Sequence, residues 1–307
     1  MTEPGIHGIQ LSPTPCAICG TLGNAVELYP PTFDESSFTD SVFSARRLPD
    51  SIHYRLVRCR KCGLVRSDPA ADQASLSELY VRSSFDYGPE VPNLRRTYGR
   101  YLAKARARAR GRSLLEIGCG NGFMLEEALA QGYEEVRGVE PSLKAIEAAA
   151  PAVKARIVAD IMRPGLFEQG EFDTVCLFQV FDHLPEPGAF LDEVRAVMSQ
   201  GGVLLCFNHN VGAASSRMLG EKSPIVDIEH CYLYSPVTMK VILEKHGFDV
   251  VDVGAATNTL SVRHLLHLLP APKALKQALL AAADRTGAGR LRLRLPLGNL
   301  YAIGVKT

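Results

Sequence analysis

The sequence contains no tryptophan, carries little net charge and has no long apolar run. Its formal charge is only +1, which gives no overall electrostatic reason to expect nucleic acid or an anionic membrane as a partner. The first ten residues, MTEPGIHGIQ, have neither the basic nor the apolar segment of a secretory signal, and no later stretch reaches about 18 apolar residues. We therefore expect a cytoplasmic protein without a membrane span.

The 307 residues, of which 46% are hydrophobic, suffice for one substantial α/β domain and a smaller module. Residues 1–90 are rich in proline and serine and have few periodic segments, which predicts a loop-rich module. From residue 91 to residue 307, helices and strands alternate, which predicts an α/β domain with a mostly parallel sheet. Residues 255–297 interrupt this alternation before a last strand and form a possible lid insert.

The apolar patterns also predict the elements of the larger domain. The predicted strands are 113–117, 135–139, 156–159, 173–178, 202–208 and 248–253. The predicted helices are 122–131, 142–149, a short one near residue 165, 188–199 and 236–246.

Four of the eight cysteines form two close pairs, CAIC and CRKC, and the other four are scattered. This pattern indicates a reducing compartment and one metal site. A glycine follows each pair and permits the tight turn that brings backbone amides toward sulfur. Four thiolates suit a closed tetrahedral structural zinc site; the alternative is four free or redox cysteines. The predicted zinc ligands are Cys16, Cys19, Cys59 and Cys62.

A glycine-rich segment, LLEIGCGNGF, lies where an apolar strand is predicted to turn into a helix. Gly118, Gly120 and Gly122 allow the backbone to pass close to a ligand. About twenty residues later the next strand ends at Glu140, whose carboxylate can accept hydrogen bonds from both hydroxyls of an adenosine ribose. Asp160, after the third strand, can meet the adenine amino group. The alternative is three ordinary turns.

Five segments resemble the successive motifs of class I S-adenosylmethionine (SAM) dependent methyltransferases: LLEIGCGNGF, GVEPS, VAD, FDTVCLFQVFDHLPEP and LDEVRAVMSQGGVLLCF. The resemblance covers residues 95–254 and implies SAM as cofactor and a Rossmann-like seven-stranded sheet whose last strand is antiparallel. Where the family usually has a Glu-His pair after the fourth strand, this chain has Asp182-His183. The cofactor-binding residues implied by the resemblance are Glu116, Gly118, Gly120, Gly122, Glu140, Pro141, Asp160, Ile161, Gln179 and His183, with Val180 beside Gln179 closing the pocket.

The segments RLVRCRKCGLVRSDP and LSELYVRSSFDYG are similar to the N-terminal module of a bacterial group that includes sugar C-methyltransferases. Those enzymes carry a further large C-terminal domain that this sequence lacks, so the resemblance implies a zinc-headed small-molecule methyltransferase rather than sugar C-methylation itself. In that group a tyrosine just after the head approaches the active site. Tyr80 or Tyr87 is its counterpart here.

Methyl transfer to oxygen or carbon needs an in-line acceptor and a base that takes its proton. His209 ends the fifth predicted strand, and the segment IEHCYLYSP resembles one that supplies a Glu-His base in the sugar C-methyltransferases. The alternative is that His230 orders its loop while Ser235 caps the next helix at Pro236. The candidate catalytic residues are His230, Glu229, His209 and Tyr87.

Two arginine patterns remain. One is a helical stripe of four cations, Arg100, Lys104, Arg108 and Arg112. It either binds phosphate or forms a solvated face, which the alanine spacers favour. The other is one side of a strand, formed by Arg290, Arg292 and Arg294. If this side borders the substrate pocket, it suits an anionic substrate such as a nucleotide sugar.

The expected function is SAM-dependent methylation of oxygen or carbon in a small molecule such as a sugar or a secondary metabolite. One alternative is an RNA methyltransferase, against which stand the near-neutral charge, the absence of tryptophan and the few aromatic residues of the head. A second alternative is a non-catalytic zinc adaptor with a degenerate methyltransferase fold, which the intact glycines disfavour. We expect a small-molecule acceptor and no nucleic acid as partner.

Overall fold

The computed structural model describes residues 11–33, 51–72, 76, 91–268 and 272–307. Within these ranges no helix has both the length and the apolar character needed to cross a bilayer. The predicted module boundary near residue 90 falls outside them, as do Tyr80 and Tyr87. That boundary and the cytoplasmic location stay predictions.

The N-terminal region, which we call the head, forms small antiparallel sheets beside the cysteine pairs. Its strands are β1 (Leu11–Ser12), β2 (Ala25–Tyr29), β3 (Leu56–Cys59), β4 (Val65–Ser67) and β5 (Ala70–Ala71). The β3 strand pairs with both β2 and β4, and β1 pairs with β5. The first CxxC pair thus lies on a turn after β1, and Cys59 of the second pair ends β3.

Strand β4 carries a fully buried arginine, Arg66, which is 1% exposed. Its Nε donates to the backbone oxygen of Thr14 at 2.8 Å, and its Nη2 lies 3.4 Å from Oδ2 of Asp68. The other oxygen of Asp68 accepts the backbone N–H of Thr14 at 3.0 Å. A buried charge is tolerated when it is paired and hydrogen-bonded, so this triangle fixes the start of the head against β4.

The larger region is built on a seven-stranded sheet in the order β8-β7-β6-β9-β10-β13-β12. Strands β6 to β10 are mutually parallel, whereas β13 runs antiparallel to both of its neighbours. This confirms the predicted Rossmann-like methyltransferase sheet. The strands are β6 (Ser113–Ile117), β7 (Glu135–Val139), β8 (Ile157–Val158), β9 (Phe172–Phe178), β10 (Met198–His209), β12 (Phe248–Ser261) and β13 (Arg292–Lys306), and β11 (Tyr232–Leu233) joins the head sheet instead.

Helices connect these strands and cover the sheet. They are α1 (Val91–Arg106), α2 (Phe123–Ala130), α3 (Leu143–Glu147), α4 (Pro151–Lys154), α5 (Pro187–Val197), α6 (Ala214–Leu219), α7 (Pro236–Lys245), α8 (Val262–Leu268) and α9 (Lys273–Thr286), with short 3-10 turns at Phe181–His183, Gly220–Lys222 and Ala288–Arg290. The predicted capping of α7 is confirmed, because the side chain of Ser235 accepts the backbone N–H of Thr238 and Pro236 is the first helical residue.

The core lies on both faces of the sheet because side chains alternate along each strand. On β10, Leu204 and Cys206 belong to one buried cluster, whereas Val203, Leu205 and Phe207 belong to the other. This explains the short apolar stretch VLLCF at residues 203–207, since a parallel strand covered on two sides needs apolar residues at every position.

Three predicted elements differ from the structure. The short helix near residue 165 was wrong, since Gly165 has a φ of +78°, a left-handed conformation that cannot continue a right-handed helix. The predicted helix 142–149 corresponds to α3 alone, which ends at Glu147, and Pro151 begins a further short helix, α4, that was not predicted. The arginine-leucine repeat and the last strand form one strand, β13, which pairs with a β12 that extends to Ser261.

Strands β12 and β13 therefore continue past the end of β10, and helices α8 and α9 connect their far ends. In the register, His209, the last residue of β10, lies opposite Asn299 of β13. Residues 292–298 thus project beyond the edge at which β10 ends. The role of this insert as a lid stays a prediction.

We expect the Asp68→Ala variant to lose about 3–5 kcal/mol of unfolding free energy, because it leaves the Arg66 guanidinium buried without a carboxylate. Urea denaturation followed by circular dichroism measures this loss. The matched control is Glu134→Ala, which breaks the exposed ion pair between Arg112 and Glu134 and should cost about 1 kcal/mol or less. Equal losses in the two variants would contradict the role of the buried pair.

Candidate active site

The glycine-rich loop follows β6 at the carboxyl edge of the sheet. Gly118, Gly120 and Gly122 have φ values of +72°, +55° and +73°, a region that glycine enters without strain. Gly118 has a second constraint, since a Cβ at this position would lie 2.5 Å from Cγ2 of Val180. Gly118 therefore has no space for a side chain where β6 and β9 end together.

Two buried carboxylates lie beside this loop. Glu140 is 3% exposed, and its oxygens accept the backbone N–H groups of Gly120 at 2.8 Å and Ser142 at 2.9 Å. Burial raises the pKa of Glu140, and these two hydrogen bonds oppose that shift. Burial, followed by the charge of Glu140, raises the pKa of Glu116 well above its ordinary value.

One oxygen of Glu116, Oε2, is buried, and no group in the described part of the chain forms a hydrogen bond to it. The buried Oε1 of Gln179 likewise lacks a hydrogen-bond partner among the described residues. Orphaned buried acceptors are costly unless a ligand or water satisfies them. Hydroxyl and ammonium donors such as those of SAM would fit acceptors of this kind.

Gln179 has an unusual backbone, with a φ of +60° although it is not glycine. Its N–H donates to the backbone oxygen of Phe207 at 2.7 Å, and its Nε2 donates to Oδ1 of Asn299 at 3.1 Å. These contacts tie the end of β9 to β10 and β13. A non-glycine residue in this conformation costs about 1–3 kcal/mol and occurs most often at functional sites.

The remaining predicted cofactor residues lie in the loops that follow β7 and β8. Oδ1 of Asp160 accepts the backbone N–H of Ile161 at 2.8 Å, and Oδ2 lies 2.9 Å from Nε of Arg163. Asp160 is thus engaged by its own loop. Pro141 is half-buried between Glu140 and the N-cap residue of α3, Ser142.

The main feature that the fold creates is a cluster of three histidines around Asp182, which is fully buried. Oδ2 of Asp182 lies 2.7 Å from Nδ1 of His209 and 4.0 Å from Nε2 of His230. Oδ1 lies 3.7 Å from Nε2 of His183 and accepts a hydrogen bond from Nδ2 of Asn208 at 3.1 Å. The three imidazoles come from β10, the 3-10 turn after β9 and the loop before β11.

The contacts within the cluster shift the pKa values of Asp182 and His183. Burial alone would raise the pKa of Asp182, but the charge and hydrogen bond of His209, together with His183 and His230, hold it well below its ordinary value. Burial, opposed by Asp182 and reinforced by His230 and His209, lowers the pKa of His183 to about 4. His183 is therefore neutral at pH 7 beside an ionised Asp182.

The loop with Glu229 and His230 is held mainly through its backbone. Nδ1 of His230 lies 2.9 Å from the backbone oxygen of Ile225, and the N–H of Glu229 donates to Oδ1 of Asp227 at 3.0 Å. The head holds the other side, since Oγ of Ser67 donates to the backbone oxygen of His230 at 2.7 Å. His230 therefore orders its loop, as the alternative predicted, and also faces Asp182.

The structure brings Glu116, Glu140 and the glycine loop together, as the motif order predicted, and His209 and His230 lie next to each other. His183, predicted on the cofactor side, lies in the histidine cluster, with its ring centre 4.7 Å from that of His230. Sequence reasoning missed the central role of Asp182 and the contact from Asn208. The only sequence signal was a carboxylate shorter than the one usual in the family.

The cysteine pairs also converge. Sγ of Cys16 lies 3.3 Å from Sγ of Cys62, and Sγ of Cys19 lies 3.6 Å from Sγ of Cys59. All four sulfur atoms lie within 4.8 Å of one another. Four thiolates at about 2.3 Å from one tetrahedral zinc would be about 3.8 Å apart, so this spacing fits zinc.

Asp182, His183 and His230 also have the spacing of metal ligands, with their donor atoms within 4.8 Å of one another. However, both oxygens of Asp182 already accept hydrogen bonds, from Asn208 and from the ring and backbone of His209. The same contacts define a carboxylate that orients a histidine ring.

Because the pKa of His183 is lowered to about 4 from an unfolded value of about 6.5, its contribution to stability is complete above pH 6.5 and is lost as the pH falls toward 4. We expect the unfolding free energy to fall by on the order of 2 kcal/mol more in the wild type than in His183→Gln over this window. Urea denaturation at several pH values tests this. Parallel pH profiles of the two proteins would contradict this expectation. The titration of Asp182 lies outside this pH window, because a carboxylate with a lowered pKa loses its contribution to stability only below about pH 3.8.

Comparison with known proteins finds relatives that match part of the chain. The chain is 33% identical over 106 residues to a ubiquinone biosynthesis O-methyltransferase from Caulobacter vibrioides, covering 33% of this chain and 42% of that protein. It is 26% identical over 161 residues to a tRNA U34 carboxymethyltransferase from Hahella chejuensis, covering 48% of this chain and 49% of that protein. The chain thus spans less than half the length of either relative.

A solved structure of a SAM-dependent methyltransferase from Archaeoglobus fulgidus aligns with a TM-score of 0.46 and 20% identity, over 76% of this chain and 100% of that one. The family model of the methyltransferase domain matches residues 92–253, which is more than half of the chain. This protein therefore belongs to the methyltransferase domain family.

Proposed function

We propose that this enzyme transfers the methyl group of SAM to an oxygen or an acidic carbon of a small molecule, and that His209 is the base that takes the acceptor's proton. The observation that supports this most directly is the 2.7 Å contact between Nδ1 of His209 and the buried carboxylate of Asp182. His209 is also the most exposed of the three clustered histidines, since 25% of its side chain is accessible.

Asp182 would give His209 the orientation that a base requires. An ionised carboxylate can only accept, so Nδ1 of His209 carries the proton and Nε2 carries the lone pair. When Nε2 takes a proton, the imidazolium that forms lies against a buried negative charge that stabilises it. The neutral His183 and the loop-bound His230 would pack around this pair and exclude water.

SAM, when bound, supplies an electrophilic methyl group on a sulfonium. The glycine loop, Glu140, Glu116 and Gln179 would hold it, because they combine close backbone approach with buried acceptors. Pro141, Asp160 and Ile161 would border the adenosine. Methyl transfer then depends on aligning the acceptor with the sulfonium and on removing the acceptor's proton.

A small-molecule acceptor is favoured over RNA by the distribution of charge. The sequence has 34 basic and 33 acidic residues, and several cations of the α1 region are neutralised locally. Lys104 and Arg108 lie 3.1 Å and 3.9 Å from the same oxygen of Asp252, and Arg112 pairs with Glu134. An RNA-binding surface needs a track of available cations along the phosphate backbone.

We further propose that the four cysteines of the head hold a structural zinc ion. A zinc ion would offset the cost of ionising sulfur in a site where burial raises the pKa of Cys16. It would leave no open position for chemistry. Its function would be to brace the head, which in turn holds the loop with His230 through Ser67.

For the base, we expect His209→Asn to lower methyl transfer by about 100-fold or more while leaving S-adenosylhomocysteine affinity within about twofold. Tritium-labelled SAM is incubated with a low-molecular-mass metabolite fraction or with total RNA, and calorimetry measures the affinity. The matched control is His246→Asn, which breaks a second histidine-carboxylate contact, to Asp192 at 2.9 Å, outside the cluster. A full rate in His209→Asn would refute the base, and labelling of RNA would refute the acceptor class.

For the metal, we expect about one zinc ion per chain in the wild type and a large loss in Cys59→Ser, together with a lower midpoint of thermal unfolding. Elemental analysis of the purified protein measures the zinc content. Cys206→Ala is the control, because Cys206 is a buried cysteine of the sheet outside the cluster and its removal should leave the zinc in place. Undiminished zinc in Cys59→Ser would rule out this site.

A further inference from the structure

A cavity lies apart from the histidine cluster, between α1, α2 and the extended part of β12 and β13. Its volume is about 490 Å³, which is within the size range of small-molecule sites. Five arginines line it, Arg95, Arg96, Arg100, Arg292 and Arg294. Arg100 comes from the helical stripe and Arg292 and Arg294 come from the strand pattern, so residues about 190 positions apart line one surface.

Most of this positive charge is not neutralised. Of the described residues, Glu127 is the one acidic residue that lines the cavity, and it accepts from Nε of Arg95 at 2.7 Å. Among the described residues, no carboxylate lies within ion-pair distance of the other four guanidinium groups, Arg96, Arg100, Arg292 and Arg294. Like charges gathered around a concave surface repel one another, so their proximity indicates that an anion normally lies between them.

Neutral partners hold two of these arginines in position. Arg100 donates to Oγ1 of Thr259 at 2.6 Å and to the backbone oxygen of Thr257 at 2.7 Å, and Nε of Arg292 donates to Oδ1 of Asn93 at 3.1 Å. Burial, followed by the charge of Arg294, lowers the pKa of Arg100. Arg294 is directly opposite Thr259 in the strand pairing, so the two strands place Arg100 and Arg294 at the same cavity.

We infer that this cavity binds the diphosphate group of a phosphorylated small molecule. Planar guanidinium groups donate paired N–H groups that match phosphate oxygens, and several of them around one cavity match a group with several negative charges. Strand β13 leads from the cavity to the active-site edge, since Arg294 precedes Asn299 by five residues, or about 16 Å of extended chain. The inference stands on the cavity alone and does not depend on the identity of the base.

A small ligand fits these observations better than RNA. The unneutralised arginines converge on one cavity instead of following a track. Further along the chain, Lys104 and Arg108 are paired with Asp252, and Arg112 is paired with Glu134. Polynucleotide binding neutralises a series of phosphates along a strand and requires cations spaced over a longer surface.

Calorimetry of the full-length protein with inorganic pyrophosphate, and separately with ADP, in magnesium-free buffer tests this site. We expect both to bind the wild type, and Arg294→Ala to weaken both at least about tenfold. Arg294 is exposed at the cavity rim, so the variant should fold; the midpoint of thermal unfolding verifies this. Charge reversal in Arg294→Glu should abolish binding.

The matched control is Arg108→Ala, which removes an exposed arginine near the end of α1 that contacts Asp252 and does not line the cavity. It should leave pyrophosphate binding unchanged. No binding by the wild type at millimolar pyrophosphate, or equal binding by wild type and Arg294→Ala, would overturn the site. A short single-stranded RNA that binds more tightly than ADP and loses affinity in Arg294→Ala would overturn the small-molecule assignment. S-adenosylhomocysteine affinity, measured in parallel, tests the cofactor site separately.

Discussion

The buried carboxylate of Asp182 is the constraint on which the active-site edge depends. A negative charge removed from water is costly unless donors surround it, and a buried carboxylate left without them would take up a proton. Here the donors come from β10, through Asn208 and His209, and the backbone oxygen of Asp182 accepts the N–H of Cys231. Through its side chain and its backbone, Asp182 thus connects the end of β10 and the loop before β11 to the turn after β9.

The head also holds the loop that contacts Asp182, through hydrogen bonds on the opposite side of that loop. Strand β11 leaves the larger region and pairs with β4, and the backbone N–H and side chain of Ser67 donate to Cys231 and His230. Tyr232 adds a hydrogen bond to the backbone oxygen of Pro15 at 2.9 Å. The described part of the head therefore packs against the loop that contacts Asp182 and helps to hold it in position.

Some features of the site could be predicted because they depend on local geometry. The spacing of Gly118, Gly120 and Gly122 after an apolar strand predicted a close-approach loop, since only glycine enters a left-handed conformation without strain. The cysteine pairs predicted a four-sulfur cluster, because the local geometry of each CxxC turn places two thiols close together. The prediction of a helix near residue 165 was wrong because the apolar pattern took no account of the left-handed conformation of Gly165.

Other features depend on contacts between distant residues. The stripe of cations on α1 was interpreted as one surface, but α1 ends at Arg106, and partners from β12 and from the segment before β7 divide the stripe. Arg100 instead lines the same cavity as Arg294. The sequence predicted which side of its strand Arg294 lies on, but not which helix residue lies next to it. No periodicity within the sequence encodes which helix packs against which strand.

The class of fold, the glycine-rich loop and the residue types available for chemistry could be derived from the sequence alone, because each of these follows from spacing over a few tens of residues. How those residues are arranged around one another depends on tertiary contacts. The fold placed three histidines around Asp182 and gathered five arginines around one cavity, since charges and imidazoles acquire their pKa values and partners from neighbours that the chain brings together only when the sheet has formed.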